Sequence, residues 1–297
     1  MKKTVEITKS KTRVKKRSQA ASILRRFFRN KPAVLGVALF AAMLLLAICA
    51  PLVADYEADA ITMHMDQRLM PPCAEHIFGT DANGRDMFAR IIYGGRISLF
   101  VGVASVSISL VAGLIIGSCA GYFGGAVDNV LMRIMDVFLA IPSLLMSITI
   151  VAVLGPNMIN LLLAMSLSSI PRFSRIVRSS ILSIRGQDYI EAARACGTKH
   201  ARIIMRHVLP NAIGPIIVQA SLNVATAVIT VSSLSFIGLG ISPPTPEWGS
   251  MLAEGREQMR YYPHLVLLPG LAIICTVMAL NLIGDGLRDA LDPKMKN

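Results

Sequence analysis

The chain has 297 residues, of which 54% are hydrophobic and only 16% charged. A soluble domain carries about 25% charged residues, so this composition excludes both a protein wetted on every side and intrinsic disorder. The formal charge of +12 sits at one end: residues 1–31 hold twelve Lys/Arg against the single acid Glu6, and the remainder is nearly neutral.

A basic segment of this kind can bind nucleic acid, but an apolar run begins directly after it at Ala33. Lys and Arg beside the first apolar segment hold that flank in the cytoplasm. Residues 1–31 are therefore expected to form a cytoplasmic tail against anionic headgroups, with lipid rather than nucleic acid as its partner. The five cysteines, Cys49, Cys73, Cys119, Cys196 and Cys275, form no C-x-x-C pair and suggest neither a disulfide framework nor a zinc site.

The first apolar run, Ala33 to Ala54, spans about 33 Å as a helix, enough for a hydrocarbon core of about 30 Å. Its long basic flank favours an uncleaved anchor over a signal peptide. Further crossings are expected at Ile97–Tyr122, Val137–Leu154, Met158–Pro171, Ala212–Gly240 and His264–Gly284. Six crossings place both termini on one side. Loop charge agrees: residues 55–96 hold four Lys/Arg and seven Asp/Glu, whereas 172–206 hold eight Lys/Arg and two Asp/Glu, so the second loop is cytoplasmic and the first external. The organisation is thus a tail (1–31), a first helix with an external loop (32–96), and a five-helix core (97–297) carrying a cytoplasmic loop at 172–211. All regular structure is expected to be α-helical.

Gly113, Gly117 and Gly121 recur at four-residue spacing in the second crossing, forming a strip that lets another backbone approach. Gly155-Pro156-Asn157 supplies the turn between the third and fourth crossings. Ionisable groups are nearly absent from the apolar runs. This weighs against an ion-coupled carrier, which keeps such groups at mid-membrane depth. Milder polar groups, among them Gln219, Asn223, Thr226 and Asn281, either line a hydrated path or hydrogen-bond between helices. In the external segment 241–263, Pro243, Pro244 and Pro246 limit backbone freedom. Trp248 is read there first as an interfacial anchor and second as a contact for something arriving from outside.

The chain holds no phosphate loop, nucleophile elbow or H-E-x-x-H helix. No catalytic or metal-ligating set is expected. Met63-His64-Met65 is a weak soft-metal pattern, better read as solvated loop. A membrane hydrolase would need a nucleophile with a positioned base, and Ser232, Ser233 and Ser235 have no histidine in their own run.

Residues 172–211 are too long for a structureless connection. Helix formers fill 187–206, interrupted by Gly197, which can end one helix in a left-handed conformation, and Pro210 can open the next helix. Two short helices at the cytoplasmic surface are expected, the first with an alanine face suited to close protein contact.

At these residues the sequence resembles the membrane subunits of bacterial ATP-binding-cassette importers, whose hallmark is E-A-A, three residues, Gly, nine residues, Ile, one residue, Leu-Pro. Glu191-Ala192-Ala193, Gly197 and Leu209-Pro210 match that spacing, with His207 in place of the isoleucine. The resemblance implies the type I importer permease fold, with a coupling helix whose docking surface on the ATPase is formed by Glu191, Ala192, Ala193 and Gly197.

A second set resembles the dipeptide/oligopeptide/nickel permease group: His76 to Asp81, Gly84-Arg85-Asp86, Arg90, Gly94, Arg96, Pro246-Glu247-Trp248-Gly249 and Gly284 to Pro293. That group implies the second of two non-identical permeases in a bacterial inner membrane. It implies as partners a homologous permease, two ATPase subunits that bind ATP and Mg, and an external solute-binding protein. This chain itself would hold no cofactor. Peptides are the first substrate class, nickel or its chelates the alternative.

Overall fold

The computed structural model describes residues 19–291; most of the basic tail (1–18) and residues 292–297, including Pro293 of the terminal motif, lie outside the described residues. Regular structure among them is helical, apart from one isolated antiparallel bridge, Thr80 to Asp86.

Helix α1 (Gln19–Arg29) ends at Asn30, whose side chain caps α2 (Lys31–Ile48) through the Ala33 amide and reaches Asp289 at 3.0 Å. Pro51 lies in the short α3 (Ala50–Val53), which breaks the expected first span before Ala54. A π-helical turn at Tyr56–Ile61 and a 3-10 turn at Met65–Gln67 lead to α4 (Met87–Phe123). At 37 residues α4 is about 55 Å long, ten residues longer at its start than expected from hydropathy. Asp86 caps it, accepting from the Ala89 amide at 2.8 Å. Its polar first turns are covered by protein: Arg90 is buried, and Tyr93 sends its hydroxyl to the Ala54 carbonyl at 2.9 Å.

Gly124, at φ 67°, separates α4 from α5 (Gly125–Leu139), and α6 (Ser143–Leu154) follows with a bend of 79°. The expected third crossing at Val137–Leu154 is therefore two helices broken at Ile141-Pro142, because Pro142 has no amide to continue the ladder. Gly155 (φ 89°) makes the next turn, and Asn157 caps α7 (Met158–Leu182).

Helix α7 corrects a boundary. It was expected to stop at Pro171, but it continues eleven residues further, absorbing Arg172, Arg175 and Arg178. Phe173, Ser174, Val177 and Ile181 are buried along one face, and this packing outweighs the one hydrogen bond lost at Pro171.

The loop then holds one separate helix, α8 (Asp188–Ala195). The second expected surface helix, α9 (His200–Ile203), is not separate: it runs through a π turn at Ile204–Val208 into α10 (Leu209–Phe236). The π turn fits Pro210 into a continuous helix, and the Asn211 side-chain Nδ2 donates to the His207 carbonyl at 2.6 Å. Helix α11 (Trp248–Gly255) and α12 (His264–Leu291) complete the chain.

Among the described residues, four helical runs are long and apolar enough to cross a membrane: α2, α4, His200–Phe236 and α12. The bent α5–α6 pair makes a fifth. The remaining expected crossing, the fourth in chain order and now α7, has the length but not the apolarity, because its three arginines fall within the helix. The main core joins α4, α6, α7 and α10 through Val101, Val151, Leu161, Phe173, Val231 and Leu234. Helix α12 packs against α2 and α10: a Cβ at Gly36 would lie 2.8 Å from the Ala279 carbonyl oxygen, and one at Gly284 2.5 Å from Leu222.

Candidate functional site

Three groups of residues lie along the α4 axis: a surface helix at its C-terminal end, a polar cleft beside its middle, and an anchored loop platform at its N-terminal end.

The first group centres on α8. Gly197 takes φ +72° and closes the helix in a Schellman arrangement: the Gly197 amide donates to the Arg194 carbonyl at 2.9 Å and the Thr198 amide to Ala193 at 3.2 Å. Helix α8 buries Ile190 against Tyr122, Val177, Ile181, Ile203 and Val208. Glu191, Ala192 and Gly197 remain exposed, Ala193 is half-buried and turned toward this cluster, Leu209 is half-buried and Pro210 exposed. The E-A-A segment thus divides, with Glu191 and Ala192 presented outward and Ala193 facing the protein.

Sequence reasoning missed what holds α8 in place. The Tyr122 hydroxyl is 2.9 Å from His200 Nδ1, and the Arg194 guanidinium lies 4.9 Å from the Tyr122 ring centre. Arg185 donates to the Gly121 carbonyl at 3.0 Å. The α4 terminus is thereby tied to both sides of Gly197. Arg178 makes a two-pronged pair with Asp128 of α5, both bonds 2.5 Å, and Arg175 reaches Asp136 at 2.5 Å. The strip of basic residues at 172–206 was the only available signal, and it was read for topology alone.

The glycine strip lies against α7. A Cβ at Gly113 would stand 2.5 Å from Phe173 Cβ, one at Gly117 2.5 Å from the Ser174 carbonyl oxygen, and one at Gly121 3.0 Å from Ile181. The partner backbone is thus within the same chain.

The second group is a cleft between α7 and α10, lined by Ser168, Ser169, Arg172, Asn223, Thr226 and Thr230 among others. Asn223 and Thr226 lie on it. Gln219 lies one turn away, its backbone carbonyl accepting from the Asn223 side chain at 2.8 Å, and Asn281 sits apart on the exposed face of α12. The four polar residues singled out in the sequence are therefore not one set.

The third group gathers the motif residues of 76–98 and 247–254. Buried Arg85 and Arg90 both pair with Asp81 and with Glu254; Arg85 Nε is 2.7 Å from Asp81 and Nη2 2.5 Å from Glu254. His76 Nδ1 meets Asp86 at 2.8 Å. Fully buried Glu247 accepts from the Ser98 hydroxyl and the Ser250 amide, both at 2.9 Å.

Trp248 corrects the sequence reading. It is not an interfacial anchor: it is 2% exposed, lies over Gly94 and Gly95, and donates from Nε1 to the Ile91 carbonyl at 2.9 Å. His64 is likewise engaged, its Nε2 3.1 Å from the Ala58 carbonyl.

Residues 109–297 match the family model described as "Binding-protein-dependent transport system inner membrane component". The chain belongs to that family. Residues 18–72 also match the "N-terminal TM domain of oligopeptide transport permease C".

Among curated relatives, a dipeptide transport system permease protein DppC of Alkalihalophilus pseudofirmus is 46% identical over 91% of this chain and 88% of its own length. A di/tripeptide permease protein DppC of Pseudomonas aeruginosa is 43% identical over 91% of each chain. A glutathione transport system permease protein GsiD of Escherichia coli is 44% identical over 91% of this chain and 89% of its own.

The fold matches the methionine ABC transporter MetNI at TM-score 0.56 and 18% identity, over 68% of this chain and 96% of that one. An amino acid ABC transporter matches at 0.53 and 17%, over 67% and 92%. The fold is therefore that of type I importer permeases, and about a third of this membrane permease lies outside the shared part.

Proposed function

We propose that this permease forms half of the translocation path of an ATP-driven peptide importer and couples that path to separate ATPase subunits at α8. Glu191, Ala192 and Gly197 offer an exposed surface on a helix fixed to the end of α4, and this arrangement carries the reading. A force applied at α8 reaches the bundle through Tyr122, Arg185 and the π turn into α10 rather than being lost in a slack loop. ATP binding can shift the bundle only if the ATPase contacts differ in energy between its two states. The chain does no ATP chemistry itself; ATP and Mg belong to the partner subunits.

The positive-inside rule puts the basic α8 end in the cytoplasm. With α7 counted as a sixth crossing, both termini lie there too, in a bacterial inner membrane. The far platform, held by Asp81, Arg85, Arg90 and Glu254, then faces outward as the seat of a solute-binding protein, and a second homologous permease completes the path. Peptides are favoured over nickel chelates by the relatives' assignments to dipeptides, di/tripeptides and glutathione.

The test is purification of the assembled complex and uptake of a labelled dipeptide into vesicles containing ATP. Wild type is expected to co-purify with an ATPase and to accumulate the peptide. Glu191→Arg is expected to keep the helical signature of the chain and lose ATP-dependent uptake. Full uptake by that variant, or labelling of a cysteine at position 191 by an impermeant reagent in intact cells, refutes the assignment.

A further inference from the structure

The extension of α7 beyond Pro171 changes the status of Arg172. It is no longer the first residue of a loop but lies inside a 25-residue helix, about 21 Å from the Met158 end. Its partner, Asn223, is the fifteenth of the 28 residues of α10. Asn223 lies about 20 Å from the Phe236 end, so the two helices agree in placing the guanidinium within the bundle, about 20 Å from their Met158 and Phe236 ends. A charge there is costly unless it faces protein or a watered cavity.

Arg172 does not lie on the packed face of α7. Phe173, Val177 and Ile181 bury that face against α4. Ser168, Arg172, Arg175 and Ser179 fall on the opposite face by helical spacing. Across the cleft, Asn223, Thr226 and Thr230 fall on one stripe of α10.

The described residues give Arg172 a single polar contact, a 3.3 Å bond from Nη1 to Asn223 Oδ1. Arg85, Arg90 and Arg178, nearer the ends of the bundle, are by contrast held by carboxylates at short range. Four of the five guanidinium N–H donors of Arg172 are therefore uncommitted. They sit beside hydroxyls and an amide, with no acid lining the cleft, an open recess of about 70 Å³ in which Arg172 is itself exposed on the single chain. That is room for a carboxylate group and a water.

We propose that Arg172 binds the terminal carboxylate of the peptide as it crosses the bundle, with Ser168, Asn223 and Thr226 completing its hydrogen bonds. The proposal rests on the peptide-importer reading above. Every dipeptide, tripeptide or glutathione molecule carries a carboxylate at neutral pH, and a planar guanidinium matches it with two parallel bonds. The weak bond to a neutral amide holds the side chain in place between substrates and is readily exchanged.

The experiment uses vesicles holding the complete importer, ATP inside, and binding protein saturated with a labelled dipeptide outside. Each variant is checked for co-purification of all subunits. Arg172→Gln is expected to lower uptake about tenfold or more, the loss of one charge-assisted contact, and Arg172→Lys, which keeps the charge but not the two parallel bonds, to fall between that variant and wild type. In a chain whose five cysteines are replaced, Arg172→Cys is expected to be slow. It should recover after reaction with 2-aminoethyl methanethiosulfonate, which restores a cation, but not with the neutral methyl reagent.

Wild-type uptake by Arg172→Gln overturns the proposal while leaving the importer reading intact. Equal rescue by both reagents, or by neither together with an inactive Arg172→Lys, overturns it also, because each marks a role in packing rather than charge. Absence of peptide uptake by the unsubstituted complex sinks the importer reading and this proposal together.

Discussion

Replacing Gly117 with alanine measures how closely α4 and α7 are drawn together. The added Cβ would meet the Ser174 carbonyl oxygen at 2.5 Å and Val177 Cβ at 2.7 Å. Carbon–oxygen contacts between packed helices sit at about 3.3–3.6 Å, so the helices must part by roughly 1 Å. A gap of that size forfeits about a quarter to a half of each dispersion contact along the seam, and overpacking of this kind costs about 1–3 kcal/mol. Alanine returns about 0.5–1 kcal/mol through helix propensity, leaving a net loss of up to about 2.5 kcal/mol.

The obstacle at Gly117 is backbone, which cannot rotate away, whereas at Gly121 the nearest atoms are 3.0 Å off on the Ile181 side chain. Gly121→Ala should therefore be the milder change. Gly214, also helical, has nothing within 4 Å of its would-be Cβ, and Gly214→Ala should be neutral or stabilising. Thermal unfolding of the purified complex in detergent, followed by helical circular dichroism, reads all three. The expected order is Gly117→Ala lowest, Gly121→Ala next, and Gly214→Ala at or above wild type. A Gly117→Ala melting point equal to that of Gly214→Ala would refute the close approach.

Two further substitutions probe how α8 and the arginine helix are held. Tyr122→Phe removes the hydroxyl bonded to His200 Nδ1 at a cost of about 1 kcal/mol; amide hydrogen exchange across 188–203 should quicken while that of α12 stays unchanged. Asp128→Asn breaks the two-pronged pair with Arg178. Because Arg178 is partly exposed, screening reduces the loss to about 1–2 kcal/mol. The double variant with Arg178→Gln should lose less than the sum of the two single changes, and strict additivity would show that the pair is not coupled.

The glycine spacing, the apolar runs and the E-A-A segment with Gly197 were legible because each rests on a local rule: helical period, hydrocarbon thickness, or left-handed backbone tolerance. What failed to show was any feature decided by a distant partner. Pro171 looked like a helix end because nothing nearby repays its missing bond; the burial of Phe173, Val177 and Ile181 against α4 does. Trp248 looked like an interfacial residue because the glycines that make room for it lie some 150 positions away. Pro210 marked a helix start in the sequence, yet a π turn carries α9 through it without a break.

The sequence alone determined that this is a helical membrane protein with a surface helix in a basic segment at one end, since chain composition and short-range periodicity depend on neighbours a few residues apart. Tertiary structure alone decided which charges are satisfied. Arg85, Arg90 and Arg178 find carboxylates across the fold, while Arg172 meets only an amide within the bundle. The energy of a charge away from water is set by what lies within a few ångströms in space, and spacing along a chain does not carry that information.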